Sequence, residues 1–433
     1  MQYWGQLDWF AVDSLDLQFG PASVLQGSDA IGGSVNLQTL RWSPQVVGER
    51  GSYTRLYSRY ATAEQGAIVS LAFVQSLTPT SGLAFVLSTG QFGDLITGDG
   101  RKPYTSYGRY DWHSRYTNYL DDEWTLDLIV QGNYLDNAKR THSTAAAVPF
   151  AGTVAGTDRR REFDHRRHHL ALQLQHNPTQ AFYDEFFLSL SWMLNQEERI
   201  RVRSNNTRED DAFEMHSLGL VAQWESTLDA HLVSFGFDLY VDRGLSKSFL
   251  NGVRGIQGFR FGDDAWYTMG GLFVQDRWTL DETFALTAGA RGTLVSGSID
   301  RADVNGTPTV ISVDAFGLAA NLGLHVTYTT GAVAYADVSL GFRAPTLTDL
   351  SERGVVASTE TLVPAVNLNS ERFVTFEVGT NVDLEDELRL RASTWFTLIN
   401  DLIVRRPTGN IVGGLTEVQY TNSGEAWTTG VDL

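Results

Sequence analysis

At 433 residues the chain has room for two or three ordinary domains or for one large closed sheet. A net charge of −18 argues against a nucleic-acid partner, and the absence of cysteine excludes disulfides, thiolate metal sites and cysteine nucleophiles. No apolar run approaches eighteen residues, which excludes helical membrane spans but not a β-barrel, whose strands show only every second residue to lipid.

Residues 1–10 have neither a basic region nor an apolar one, so any export leader is expected to lie outside this chain. Residues 19–40 place Gly20, Gly27, Gly32 and Gly33 among small side chains. Upstream, Leu15 and Leu17 flank Asp16; downstream, Val35 and Leu37 flank Asn36. Two half-buried strands joined by a compact wedge are expected, because glycine permits positive φ and close backbone approach. A short link over 41–48, with Pro44, leads into a long series of segments that alternate with period two.

In residues 182–194 the even positions include Phe186, Leu188, Leu190, Trp192 and Leu194, and the odd ones Glu185, Ser189 and Ser191. Residues 124–134 and 388–398 separate in the same way. Alternation alone fits a soluble sandwich as well as a barrel. The connections discriminate. About sixteen strands are predicted, at 49–62, 66–77, 82–93, 107–119, 124–136, 162–177, 182–198, 211–226, 230–246, 266–279, 284–297, 314–328, 333–342, 372–383, 386–400 and 412–433. Turns after even-numbered strands are short and connections after odd-numbered ones mostly long. An up-and-down antiparallel transmembrane β-barrel requires that arrangement, and a sandwich or propeller does not. Trp124, Phe182, Trp278 and Phe284 fall beside the short turns, as an aromatic girdle would place them. Acidic turn residues such as Asp121, Asp122, Glu123, Asp281, Glu282 and Glu385 to Glu387 need only solvated turn chemistry.

The densest polar cluster is Asp164-His165-Arg166-Arg167-His168-His169, with Arg159 to Arg161 before it. His165 and His169 share a strand face and His168 points to the other, so it fails as a metal site; a solvated basic stretch at a loop rim is expected, with attraction of anionic ligands or lipopolysaccharide phosphates as the functional option. No Ser/His/Asp set, P-loop or paired catalytic carboxylate stands out. Asn205-Asn206-Thr207 is an accidental glycosylation pattern.

Three stretches together carry a resemblance. They are Leu15-Asp16-Leu17, Gly20-Pro21-Ala22-Ser23, Gly27-Ser28, Ala30-Ile31-Gly32-Gly33 and Val35-Asn36-Leu37; then Gly341-Phe342-Arg343-Ala344-Pro345, with Leu368-Asn369-Ser370-Glu371 and Glu377-Val378-Gly379; then Asn422-Ser423-Gly424-Glu425-Ala426 and Gly430-Val431-Asp432-Leu433. They resemble the plug end, the Phe-Arg-Ala-Pro box and a late barrel strand of TonB-dependent outer-membrane receptors. Phe19 stands where the family usually has Arg, Gln26 where it has Tyr, and Ser370 where it has Pro.

The resemblance implies residues 1–40 as the C-terminal part of a plug, 41–48 as linker and 49–433 as a barrel short of the family's twenty-two strands, and hence an open sheet with two bare edges. It implies a bacterial outer-membrane location, contact with lipid, a TonB energising complex as partner, and uptake of a scarce bulky nutrient such as a ferric siderophore, cobalamin or a similar chelate. No cofactor and no enzymatic role are expected. Arg343 and Phe342 are the candidate ligand contacts; Gly20, Pro21, Gly27, Ala30, Gly32, Gly33 and Asn36 are structural plug residues. No histidine occurs from Arg343 to Asn369, which lowers haem as the ligand. A passive porin, a barrel enzyme and a soluble structural β-protein are the rival readings.

Overall fold

The computed structural model describes residues 7–48, 50–141, 144–147, 156–258, 260–357, 359–365, 367–384 and 388–433. Sixteen long strands, joined in unbroken antiparallel order from Ser52–Ala61 to Ala426–Asp432, form one barrel wall. Among the described residues no ladder joins the last strand to the first, in keeping with the expected open sheet and its two bare edges. These two terminal strands are the least covered part of the wall. Ser52–Ala61 is exposed along nearly its whole length, and Ala426–Asp432 almost as much.

The wall is apolar outside and polar inside, the reverse of a soluble protein. One ladder row runs Val130, Leu170, Trp192, Leu218, Val241 across five strands; the neighbouring row on the other face runs Gln131, His169, Met193, Ser217, Asp242. Leu170, Leu218, Leu272, Leu294 and Leu318 are exposed, whereas Asp111, His113, Asp127, Glu197 and Arg291 are buried. Such an outward apolar face is what lipid requires, and it removes the soluble reading. Phe182, Trp278 and Phe284 are exposed at the short-turn end, and Trp124 stacks on His176 there at 3.9 Å.

The expected strand 107–119 is observed as Tyr107–Tyr119, and most others differ by a few residues. Two differences are larger. Expected loops over 298–313, 199–210 and 246–265 are partly β-structure, because Phe284–Val304 and Thr307–Thr329, Glu185–Val202 and Arg208–Leu228, and His231–Leu250 extend well past the apolar belt. A ladder needs only paired backbone groups, and Asn305 and Gly306 supply the two left-handed residues of a tight hairpin turn. The expected strand 412–433 is two elements. Leu415–Asn422 belongs to a separate four-stranded sheet with Gly354–Ala357, Glu360–Val363 and Ile403–Val412, and only Ala426–Asp432 joins the barrel. The turn Glu385 to Glu387 lies outside the described residues.

Inside the barrel runs the N-terminal segment. Val12–Phe19 pairs with Gly33–Thr39 as a two-stranded hairpin, and a short helical turn, Ser23–Gln26, packs on the strands from Asp263–Thr279 to Ala332–Arg343. The segment joins the wall at Trp42, which is fully buried and donates from Nε1 to Ser76 Oγ at 2.9 Å. Gly82 makes this possible, since a Cβ there would lie 2.1 Å from the indole. Ser43 then caps the helical turn Pro44–Val47, with Pro44 at its first position.

Candidate functional site

Where the wall strand Ala332–Arg343 ends, the chain folds inward. Thr346 and Asp349 form a reciprocal capping box on the helical turn Leu347–Ser351, which satisfies the turn's first amides. Leu347 and Leu350 join Phe213, Phe261, Ile299, Ile311 and Val313 in an apolar cluster inside the barrel mouth. Gln257 Nε2 donates to Ser351 C=O at 2.8 Å and the Gly262 amide to Ser351 Oγ at 2.9 Å. This long connection therefore stands over the lumen.

Arg343 fastens that arrangement. Its Nη1 donates to Asp349 Oδ2 at 2.8 Å and its Nε to Glu371, whose other oxygen accepts from the Ile403 amide at 2.6 Å. Phe342 is 2% exposed, packed with Val295 and Ala344. Its carbonyl accepts from Ser28 Oγ at 3.3 Å and the Asp29 amide at 3.4 Å. The two expected ligand contacts thus lie where the loop, the wall and the N-terminal segment meet; the side chain of one is enclosed and the guanidinium of the other is engaged by two carboxylates. Burial raises the Asp29 carboxyl above its ordinary value, against the lowering effects of Ser28 and Arg343.

Each residue of the glycine-rich motif has a definable place. Gly20 turns with φ 82° and Gly27 with φ 90°. Pro21 precedes the turn in which the Ala30 carbonyl accepts from the Ala22 amide at 2.8 Å and Ser23 Oγ at 3.2 Å. Gly33 passes against the Gln18 carbonyl, Gly32 has open space beside it, and Asn36 sits opposite Asp16 in the hairpin. What the motif rests on is not legible from the motif itself. Gly27 lies beside Arg291, a wall arginine 2% exposed, and Gly271 leaves room for the same guanidinium. Arg291 donates to Asp238 Oδ1 at 2.7 Å and Thr293 Oγ1 at 2.9 Å.

The basic stretch is not a rim. Phe163 and His165 are buried and Arg161, Arg167 and His169 share their inward parity, while Arg160 and Arg166 are exposed outward and His168 meets Tyr134 Oη at 3.1 Å. A continuous strand from Arg160 to His176 divides one sequence cluster between two surfaces. At the mouth, arginines and carboxylates alternate: Arg199 bonds Asp211 at 2.7 Å, Arg201 bonds Asp158 at 2.8 Å, and Arg260 bonds Glu197 at 2.6 Å. Among the described residues no group of three or more His, Asp or Glu is placed to hold a metal. Two cavities flank the hairpin, one of about 540 Å³ against strands Tyr107–Tyr119, Trp124–Lys139 and Arg160–His176, the other of about 870 Å³ beside the last strands of the wall.

An apolar-outside barrel with alternating short turns and long connections, and with a segment fastened in its lumen, defines an outer-membrane receptor barrel. The family described as TonB dependent receptor-like, beta-barrel matches residues 42–433. The chain belongs to the TonB-dependent receptors, a family of outer-membrane receptors and not of enzymes, and its place is the bacterial outer membrane. It is 24% identical over 384 residues to an iron-regulated outer membrane virulence protein of Vibrio cholerae, covering 86% of this chain and 51% of that protein. The chain therefore spans about half the length of the curated relatives it matches. Among solved structures it is similar to the hemophore receptor HasR of Serratia marcescens, seen with its hemophore and heme, with TM-score 0.79, 17% identity and coverage of 98% and 66% of the two chains. It is also similar to the copper transporter OprC, with TM-score 0.77, 16% identity and coverage of 97% and 63%. At these identities the solved structures speak for the fold.

Proposed function

We propose that the protein takes part in energised uptake of a scarce, bulky metal chelate across the outer membrane, of the ferric-siderophore, cobalamin or related class. In this reading residues 1–40 are the end of a lumen-blocking plug, 41–48 its link, and 49–433 the barrel; the TonB complex supplies the energy. The observation that carries it is the N-terminal segment held inside the lumen, bonded to both the wall and the base of an inward-folded loop. A passive porin has no use for such an obstruction. Similarity to an iron-regulated protein favours iron, while similarity to both a heme-hemophore receptor and a copper transporter leaves the scaffold compatible with several cargoes. Arg343 and Phe342 serve ligand capture indirectly, by fixing where the loop stands. The test is accumulation of labelled ferric chelates by cells that carry or lack the whole gene, with and without a protonophore. Gene-dependent uptake that collapses with the proton-motive force is expected; uptake indifferent to it overturns the reading in favour of a porin.

A further inference from the structure

In and around the wall of the 540 Å³ cavity most charged side chains are paired. Asp127 is held by Arg115 at 3.0 Å and Arg41 at 3.3 Å, Asp111 by Arg109, and Glu197 by Arg260 at 2.6 Å and His165 at 3.3 Å. Arg167 has no such partner among the described residues. Its lateral ladder neighbours are Asn133 and Asn195, and its one hydrogen bond runs from Nε to the Met193 thioether at 3.4 Å, a weak acceptor. The guanidinium lines the cavity. Two residues along on the same face, His169 has a buried Nδ1 without a hydrogen-bond partner. The amides of Gln131, Gln173 and Gln175 line the same space, and Asn36 and Thr39 of the hairpin face it from the other side. Asp8 and Asp13 also line the cavity; the Asp8 carboxylate accepts from Ser88 Oγ at 3.0 Å and from the Phe10 amide at 3.1 Å, and Asp13 is exposed on the hairpin side, across from the wall strand that carries Arg167.

We propose that Arg167, with His169 and the glutamine amides, is a binding station for an oxyanion inside the lumen, between the N-terminal hairpin and the wall. A partly buried guanidinium facing neutral donors wants a negative charge, and its planar fork suits a carboxylate or phosphate. The imidazole and thioether beside it are soft donors, but the fixed positive charge between them opposes a bare metal cation. A chelate whose carboxylates surround its metal fits where the naked ion does not. The station lies away from the mouth cluster, on the path that opens if the hairpin moves aside. It deepens the uptake reading and rests on it for its purpose, not for its existence.

The experiment is calorimetric titration of the whole receptor, purified from outer membranes in detergent micelles, with citrate and separately with inorganic phosphate, at ionic strength held constant with chloride. One saturable site is expected, weakened about tenfold or more in Arg167→Gln, as loss of a charge-assisted pair requires, and unchanged in Arg277→Gln at the exposed short-turn end. Tighter citrate than phosphate assigns the site to the carboxylates of an organic chelate; the reverse assigns it to free phosphate, with the station itself upheld. Arg167→Lys keeps the charge and the stem, so it tests the site even if Arg167→Gln does not assemble; loss of the fork should weaken citrate about threefold to tenfold. Absence of a saturable site, or equal affinity in wild type and in whichever of these two variants assembles, overturns the proposal. Either result is independent of whether cells import iron through this protein.

Discussion

The two halves of the N-terminal segment are held in different ways. Residues 22–31 sit against the wall: Ala22, Ser23 and Val24 are buried, Gly27 rests beside Arg291, and Ser28 and Asp29 bond the Phe342 carbonyl. The hairpin beside them pairs chiefly with itself. Leu15, Leu17 and Val35 are exposed towards open space, and its contacts with the wall are a few polar bonds such as Arg115 to the Thr39 carbonyl at 3.4 Å. Packing and buried charge hold one half, whereas a two-stranded ladder of marginal strength holds the other. If uptake is energised as proposed, the hairpin is the half that should yield.

The sharpest way to break that contrast is to remove the charge under the turn. Arg291→Leu leaves Asp238 without its cation in the lumen wall and should cost about 3–5 kcal/mol in denaturant unfolding in micelles, most of it returned by adding Asp238→Leu. Arg343→Gln strands the buried Glu371. A cost of about 2–4 kcal/mol is expected, lower because the guanidinium is partly exposed, with faster hydrogen exchange over Leu347–Ser351. Gly27→Val forces a branched side chain into a backbone with φ 90° and should cost of order 1–3 kcal/mol, read as protease sensitivity of residues 20–30.

The pH dependence is smaller and has a definite sign. Because burial raises the folded Asp29 value above the ordinary 3.8, the folded state holds that proton more tightly, and stability falls as pH rises from 3.8 to the folded value and is flat above it. Asp29→Asn should remove that slope in unfolding curves taken between pH 4 and 7. At the other end of the scale, Leu17→Ser on the exposed hairpin should change stability by no more than about 0.5 kcal/mol; a loss as large as that of the turn variants would erase the distinction between the halves.

Much of the barrel was legible because lipid imposes a period of two on any strand that crosses it, as in Trp124–Lys139 and Glu185–Val202. Strands that continue beyond the belt lose that constraint, so the polar ends of Phe284–Val304 and Thr307–Thr329 read as loop; the Asn305-Gly306 pair between them is the local hairpin signal that reading passed over. Leu415–Asn422 and Ala426–Asp432 read as one strand for a related reason: both alternate, and nothing local shows that the first pairs in parallel with Glu360–Val363, more than fifty residues earlier. The site was less accessible still. Arg291 is an ordinary arginine in the sequence and Arg167 one member of a basic run, and what sets each apart lies in partners present or lacking on other strands.

Trp42 gives the junction a mechanical character. Its indole is locked under Gly82 and bonded to Ser76, whose hydroxyl donates in turn to the Gly48 carbonyl at 2.7 Å. Tension on the chain before it would be borne in shear by an enclosed ring, while the hairpin ladder opens rung by rung like a zip. Under the proposed energised uptake, a pull from within would meet one pinned residue before it reached the wall.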